Sequence, residues 1–214
     1  MPLPRFTTLA PERRAAILAA AAEEFARAGL EGASYNRIIA RAGASKGAMY
    51  YYFDNKEDLL LTVVADLAER SAAAIGRPGE FADAAGFWRE LRALCARMVA
   101  FFLADPHVAG LAKRLLGASG ESAPGRAVAA RSRQIEHFTA ELLRQGQAVG
   151  AVRTDLPLEL LAHLVTGVGE AVDRWLLART DPLQPDELAA LPDRCVDLVA
   201  RLAAPEPSPP RRAT

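Results

Sequence analysis

A chain of 214 residues, 51% of them hydrophobic, is long enough to bury a sizeable core as one domain or as two closely joined ones. Its 26 basic and 26 acidic residues cancel, which excludes an indiscriminate polyanion binder. No apolar run reaches the roughly 18 residues a membrane span needs and no basic-then-apolar leader is present, so a cytoplasmic protein with no membrane partner is expected.

Met1 to Ala10 shows no periodicity and reads as a frayed arm; a DNA contact from its Arg5 is the sharper alternative. Pro11 suits a first helical position, and Ile17, Leu18, Ala21, Ala22 and Phe25 carry a helix to a stop at Gly29. Two short helical patterns follow, Tyr35 to Arg41 and Ser45 to Tyr52, on either side of Ala42-Gly43-Ala44. The central glycine can take the left-handed conformation that a sharp helix-to-helix turn needs. This is the sequence of a helix-turn-helix. The preceding helix must support it, because two such short helices cannot bury enough surface alone.

Its chemistry suits DNA. Ser45 is a good N-cap and leaves Lys46, Gly47, Ala48, Tyr50 and Tyr51 on or near the leading end of the second helix, the end that enters a major groove. Between Ser34 and Phe53 the charged side chains are Arg37, Arg41 and Lys46, with no acid to repel phosphate. Gly47 and Ala48 let the backbone approach closely, leaving Lys46 and Tyr51 for base edges and Ala48 for a thymine methyl. Tyr50 divides between phosphate and core, and Tyr52 fits either role. Asp54-x-x-Glu57 has the form of a capping box, and Lys56 stands at the mouth of the next helix, where a cation suits a phosphate contact. Up to Lys56 there are 8 basic and 5 acidic residues, a surplus of three that the remainder of the chain offsets.

Further helices are predicted from Asp54 or Asn55 to Gly76, Phe81 to Ala104, Pro106 to Leu116, Arg126 to Val149, Leu158 to Thr180 and Pro185 to Ala203. Gly117 to Gly125 is a break of small residues, and Pro205 to Thr214 reads as a disordered tail. The Leu158 helix is apolar on more than one side. One face is expected to pack inward and the other on a second subunit, with Gly167 and Gly169 allowing close approach. In the last helix Leu188, Leu191, Cys195, Leu198 and Leu202 form the partner stripe. No strand-like alternation of useful length and no fixed repeat occurs, so the fold class is all-α.

Gly43-Ala44-Ser45-Lys46-Gly47 fits the pattern of a hydrolase nucleophile elbow, but an elbow needs a strand before its serine, and here a helix precedes it. His107, His137 and His163 belong to no metal-binding spacing, so no metal, cofactor or catalytic residue is expected. Cys95 and Cys195 lie in helical apolar patterns, which favours reduced thiols, with redox sensing as the lesser option. Trp88, Phe102, His107, His137 and Trp175 are the candidate ligand-binding residues, since helical pockets are lined by aromatic side chains with a few polar ones. For each aromatic residue, core filling is the plain alternative.

Gly29, Ser34, Ile38, Ala42-Gly43, Ser45-Lys46-Gly47, Met49-Tyr50, Tyr52-Phe53 and Lys56-Glu57 to Leu59 together resemble the DNA-binding domain of the TetR family of bacterial transcriptional regulators. Ile39, Arg37 and Ala44 depart from the family pattern; the larger isoleucine can repack a core, and the arginine is expected to face the DNA side or solvent. The resemblance implies a homodimer, a helical C-terminal domain that binds a small-molecule ligand, and release from double-stranded DNA when it does. On this reading residues 1–56 are the three-helix DNA-binding domain, 57–204 the ligand-binding and dimerisation domain, and 205–214 the tail. The DNA-binding set is Ser34, Tyr35, Ser45, Lys46, Gly47, Ala48, Tyr50, Tyr51 and Lys56. A helical small-molecule enzyme or carrier is the alternative from another class.

Overall fold

In a computed structural model, which describes residues 4–116, 122–179, 181 and 183–206, every regular element is a helix. In chain order these are α1 Pro4–Thr7, α2 Pro11–Gly32, α3 Tyr35–Arg41, α4 Lys46–Tyr52, α5 Lys56–Ile75, α6 Ala84–Ala104, α7 Pro106–Leu116, α8 Ala123–Ala148, α9 Leu158–Ala178 and α10 Pro185–Ala203. The expected helices are all present, with ends shifted by a few residues. Residues 117–121 of the expected break, Thr180 of the expected ninth helix and residues 207–214 of the expected tail lie outside the described residues.

Three local differences have physical causes. The N-terminal segment is not wholly a frayed arm: Pro4–Thr7 forms one helical turn, and Phe6 is buried with its ring 4.8 Å from that of Phe53. Gly29 does leave the helical region at φ 69°, ψ −179°, but the chain resumes a last turn to Gly32, and the Ala33 amide donates back to the Gly29 carbonyl at 3.1 Å. The cap of α5 is Asn55, whose Oδ1 accepts from the Asp58 amide at 2.9 Å, in place of the Asp54 and Glu57 pair. The cap thus falls one position later and serves the Asp58 amide instead of that of Glu57.

The described residues fall into two compact units, one from Met1–Gly76 and Met98–Arg131, the other from Arg77–Arg97 and Ser132–Thr214. In the first, α2 is the central helix: α3, α5 and α7 all pack on it, and α1 packs on α4. Ile17, Phe25, Ile38, Met49, Phe53 and Leu59 are its best-buried large side chains. Ile39 and Ala44, the apolar departures from the family pattern, pack against the edge of this cluster. In the second unit α9 packs along α10, and Phe87, Leu143, Val152 and Leu161 are fully buried. Gly146 is required there, because a Cβ at that position would sit 2.5 Å from Val152 Cγ2 and 2.7 Å from the Phe87 ring.

Within the first unit α2 and α3 are joined by a buried acid. Glu24 is 1% exposed and lies on the same face as Ile17 and Ala21. Its carboxylate accepts from Arg37 Nη2 at 2.8 Å and Nε at 3.0 Å, from Arg27 Nη2 at 2.8 Å, and from the Ser34 amide at 2.8 Å. Arg37 is exposed, as the sequence suggested, and its guanidinium is at the same time paired with the carboxylate of α2. The Arg37 hydrogen bonds, against the opposing effect of burial, hold the Glu24 carboxyl down from its ordinary 4.5 to about 2.

Because the folded value is the lower one, this contribution is complete above pH 4.5 and is lost as pH falls toward 2. Glu24→Gln should lower folding stability by about 1–3 kcal/mol at neutral pH, since the buried amide of Ser34 and two guanidinium groups lose a charged acceptor. In urea titrations at a series of pH values the gap between wild type and variant should narrow through that window. A gap that stays constant down to the acid end would show that the charge of Glu24 is not what matters.

Candidate nucleic-acid interface

The helix-turn-helix is built as its residues dictate. Gly43 takes φ 60°, so the chain reverses sharply between α3 and α4. Ser34 Oγ accepts from the Arg37 amide at 3.3 Å and Ser45 Oγ from the Ala48 amide at 3.1 Å, which caps both short helices. From α2, Arg13 Nη2 donates to the Gly43 carbonyl at 3.0 Å, and Glu23 pairs with Arg41 at 2.8 Å. Met49, with no exposed surface, anchors the inner side of α4.

The outer side of α4 carries the residues singled out in the sequence. Ser45, Lys46 and Gly47 are exposed and Ala48 is half-buried, with open space around the position a Gly47 Cβ would occupy. Tyr50 is 54% and Tyr51 50% exposed, whereas Tyr52 packs against the core, which settles the open choice for that ring in favour of packing. Neither exposed tyrosine hangs free. The Tyr50 ring lies 5.3 Å from that of Tyr35, and the guanidinium of Arg5 sits 4.2 Å over the ring of Tyr51. Burial, with smaller effects of Tyr50 and Asp58, pushes the Tyr35 phenol up to about 12, so it stays a donor, aimed at the Met49 carbonyl 3.4 Å away.

Lys56 is placed differently from a free surface cation. Its Nζ donates to the Glu31 carbonyl at 3.1 Å and the Ala33 carbonyl at 3.0 Å, so it caps the C-terminal end of α2. It also lines a groove of about 560 Å3 together with Tyr35, Tyr50, Glu31, Asp54 and Glu57. The carboxylates of Glu31, Asp54 and Glu57 share that groove with the ammonium.

The five candidate ligand residues divide by environment. Trp88 is half-buried with its ring 5.0 Å from that of Phe87. Phe102 is half-buried beside Phe101 and packs on the core around α2. His107 and His137 are exposed, and Trp175 is 49% exposed with Arg179 5.0 Å over its ring. Neither the groove beside Lys56 nor the smaller concavity at Arg153, Asp155 and Glu206 is lined by any of the five. Among the described residues no three His, Cys, Asp or Glu side chains are grouped to hold a metal ion.

Phe6, Arg114 and Glu24 shape this site and went unread in the sequence, and Arg5 was read only as an alternative to a frayed arm. Arg5 and Phe6 lie in a segment too short for periodicity to reveal, though Pro4 stands at a helix start. Arg114 of α7 donates to the Ala26 and Arg27 carbonyls, both at 2.5 Å, where α2 breaks at Gly29. Glu24 did carry a signal, an acid on the apolar face set by Ile17, Ala21 and Phe25.

Residues 17–63 match the family described as "Bacterial regulatory proteins, tetR family", and residues 91–201, more than half of the chain, match "Transcriptional regulator SbtR-like, C-terminal domain". An HTH-type transcriptional repressor of Mycobacterium tuberculosis is 28% identical over 192 residues, 88% of this chain and 94% of that one. The HTH-type transcriptional repressor AcnR of Corynebacterium diphtheriae is 37% identical over 67 residues, 31% of this chain and 35% of AcnR, so this match spans about a third of that relative. Among solved structures, FadR of Bacillus subtilis in complex with stearoyl-CoA shares the fold with a TM-score of 0.70 at 19% identity, covering 87% of this chain and 97% of FadR. With a capped helix-turn-helix seated on α2 and family matches along both parts, the chain belongs to the TetR family of bacterial, DNA-binding transcriptional regulators.

Proposed function

We propose that this regulator is a homodimeric repressor that binds a near-palindromic operator through α4 and leaves it when a small apolar or aromatic molecule binds. In this reading residues 1–56 read DNA, and 57–204 sense and dimerise. The observation that carries it is the outer surface of α4: Ser45, Lys46, Gly47, Tyr50 and Tyr51 are exposed on a helix whose other side is fixed by Met49, with no acid from α3 through α4. Two copies would place their α4 helices in successive major grooves about 34–36 Å apart. The names of both repressor relatives support repression over activation. FadR was solved with stearoyl-CoA, which makes long-chain acyl-CoA thioesters the first ligands to screen.

A second copy has a surface to occupy. On α9, Leu160, Leu164, Gly167, Ala171 and Trp175 form one exposed stripe at helical spacing, and open space surrounds both Gly167 and Gly169. Ile135 and Phe138 on α8 and Leu198 on α10 are exposed in the same unit. The α10 stripe expected from sequence is divided in the fold: Leu191 is buried and Leu198 exposed, while Val196 and Val199 turn inward. Leu164→Arg should convert the dimer to a monomer in sedimentation velocity with helical circular dichroism retained, because a charge on this face meets its own copy across a two-fold axis. A dimer that survives the substitution would move the interface off α9.

Selection of bound sequences from a random duplex pool tests DNA reading directly. A palindrome bound by two chains is expected; salt-sensitive binding without preference would instead favour a helical enzyme or carrier. On the selected operator, Lys46→Ala should change base preference and leave thermal stability unaltered. Lys56→Ala should weaken all sequences alike, lower the salt slope by about 1 and reduce stability, since it both contacts phosphate and holds two carbonyls of α2. Equal loss from both variants with unchanged preference would sink this division of roles.

A further inference from the structure

We propose that Arg5, held by the first helical turn against α4, is a further DNA-binding residue whose guanidinium takes a backbone phosphate at the edge of the groove that α4 enters. This rests on the proposed reading of α4 and adds to it a residue from outside the helix-turn-helix. The turn Pro4–Thr7 is fixed from several sides. Phe6 is 4% exposed, with its ring 4.8 Å from that of Phe53 and 6.1 Å from that of Tyr52. The Thr7 and Thr8 hydroxyls donate to the Pro4 and Arg5 carbonyls at 2.6 and 2.9 Å, and from α2 Arg14 Nη1 donates to the Thr7 carbonyl at 3.1 Å. The side chain of Arg5 closes a circuit. Its Cζ lies 4.2 Å over the Tyr51 ring, that ring stands 5.6 Å from the ring of Tyr52, and Tyr52 returns to Phe6. The cation is therefore placed by packing and is not carried on a loose arm.

Its place is the outermost line of α4. Met49 points into the core with no exposed surface, and two residues on, about 200° around the helix, Tyr51 stands on the opposite side. Gly47 lies one turn earlier on that same line, with nothing within 4 Å of where a Cβ would be. A duplex that approaches the bare backbone at Gly47 meets Tyr51 next and, over its ring, Arg5. Contact with a ring face consumes no N–H, so the guanidinium keeps its donors, two of which match the oxygens of a phosphate. Arg5 is exposed, and among the described residues no hydrogen bond or ion pair engages its guanidinium. No acid precedes Glu12 in the chain, so the arm carries no carboxylate of its own to compete. A phosphate is favoured over a base edge because Tyr51 belongs to the last turn of α4, whereas bases are met by the leading end.

The test is a titration of the full-length protein on duplex DNA across a series of salt concentrations, with wild type, Arg5→Ala and Arg5→Lys. Arg5→Ala should weaken binding about tenfold at low salt and lower the salt slope by about 1 for each bound chain, with base preference and thermal stability little changed. Arg5→Lys should restore the slope, because a lysine still displaces a counterion, but only part of the affinity, because it lacks the planar fork. A side chain that merely packs on Tyr51 would leave the slope where it was. Unchanged affinity and slope in Arg5→Ala would overturn the inference, and so would an altered base preference, which would make Arg5 a reader of bases. Phosphate contacts carry no sequence information, so titration on a random duplex gives the same answer if no operator is found. Absence of a preferred sequence for wild type thus strikes the base reading by α4, while an unmoved salt slope in Arg5→Ala strikes Arg5 alone.

Discussion

A seven-residue helix has no stability of its own in water, because nucleation costs more than so few hydrogen bonds return. Both α3 and α4 are of that length, so the position of the reading surface is set by what holds them to α2. Most of the available ties are weak individually. The exposed pair of Arg41 and Glu23 is worth about 0–1 kcal/mol, and the Arg13 bond to the Gly43 carbonyl is also at the surface. Glu24 differs because its carboxylate is buried and meets a main-chain amide as well as guanidinium groups. It accepts from Ser34, the cap residue of α3, so the acid fixes where α3 begins and not merely that it is nearby. Arg37, one turn into α3, fixes its rotation.

The far end of α2 is held with equal economy. A helix C-terminus leaves carbonyls without partners, and the break at Gly29 exposes more of them than a simple end would. Two cations from elsewhere in the chain supply the missing donors: Arg114 of α7 at Ala26 and Arg27, and Lys56 of α5 at Glu31 and Ala33. Gly110 allows the approach of α7, for a Cβ there would lie 3.2 Å from that of Ala26. The α2 end, and with it the start of α3, is therefore tied to two later helices. A shift of α5 or α7 must drag these bonds or break them.

Helices were legible because their apolar residues recur at helical spacing, and turns because Gly43, Gly76 and Gly150 stand where positive φ is needed. The match of Pro106–Leu116 and Pro185–Ala203 to expectation reflects proline at the first helical position of each. Helix α1 was illegible since four residues contain no period. The partner of Arg37 was illegible for a related reason: periodicity tells which face a residue occupies but not which distant carboxylate its long side chain will reach. Lys56 shows the same limit in a subtler form. Its place beside a helix N-terminus was read correctly, yet two carbonyls of α2 lie within reach and engage it. Among the ligand candidates, Trp88 and Phe102 lie half-buried against other aromatic rings, as core filling would also place them.

Exposure on α4 is not the same as freedom. Long side chains lose rotamer entropy when they are fixed on a partner, and aromatic ones lose less because they have fewer torsions. Here part of that loss is already taken in the unbound protein. Tyr50 leans on Tyr35, Tyr51 lies beneath Arg5, and Phe6 pins the turn that carries Arg5 against Phe53. The buried Phe6 thus acts at the surface: it places a cation and an aromatic ring side by side on the reading edge. Lys46 is exposed and has no ring contact or ion pair among the described residues. On the proposed reading, the tyrosines are therefore suited to supply shape and register, and the lysine to adapt to the bases.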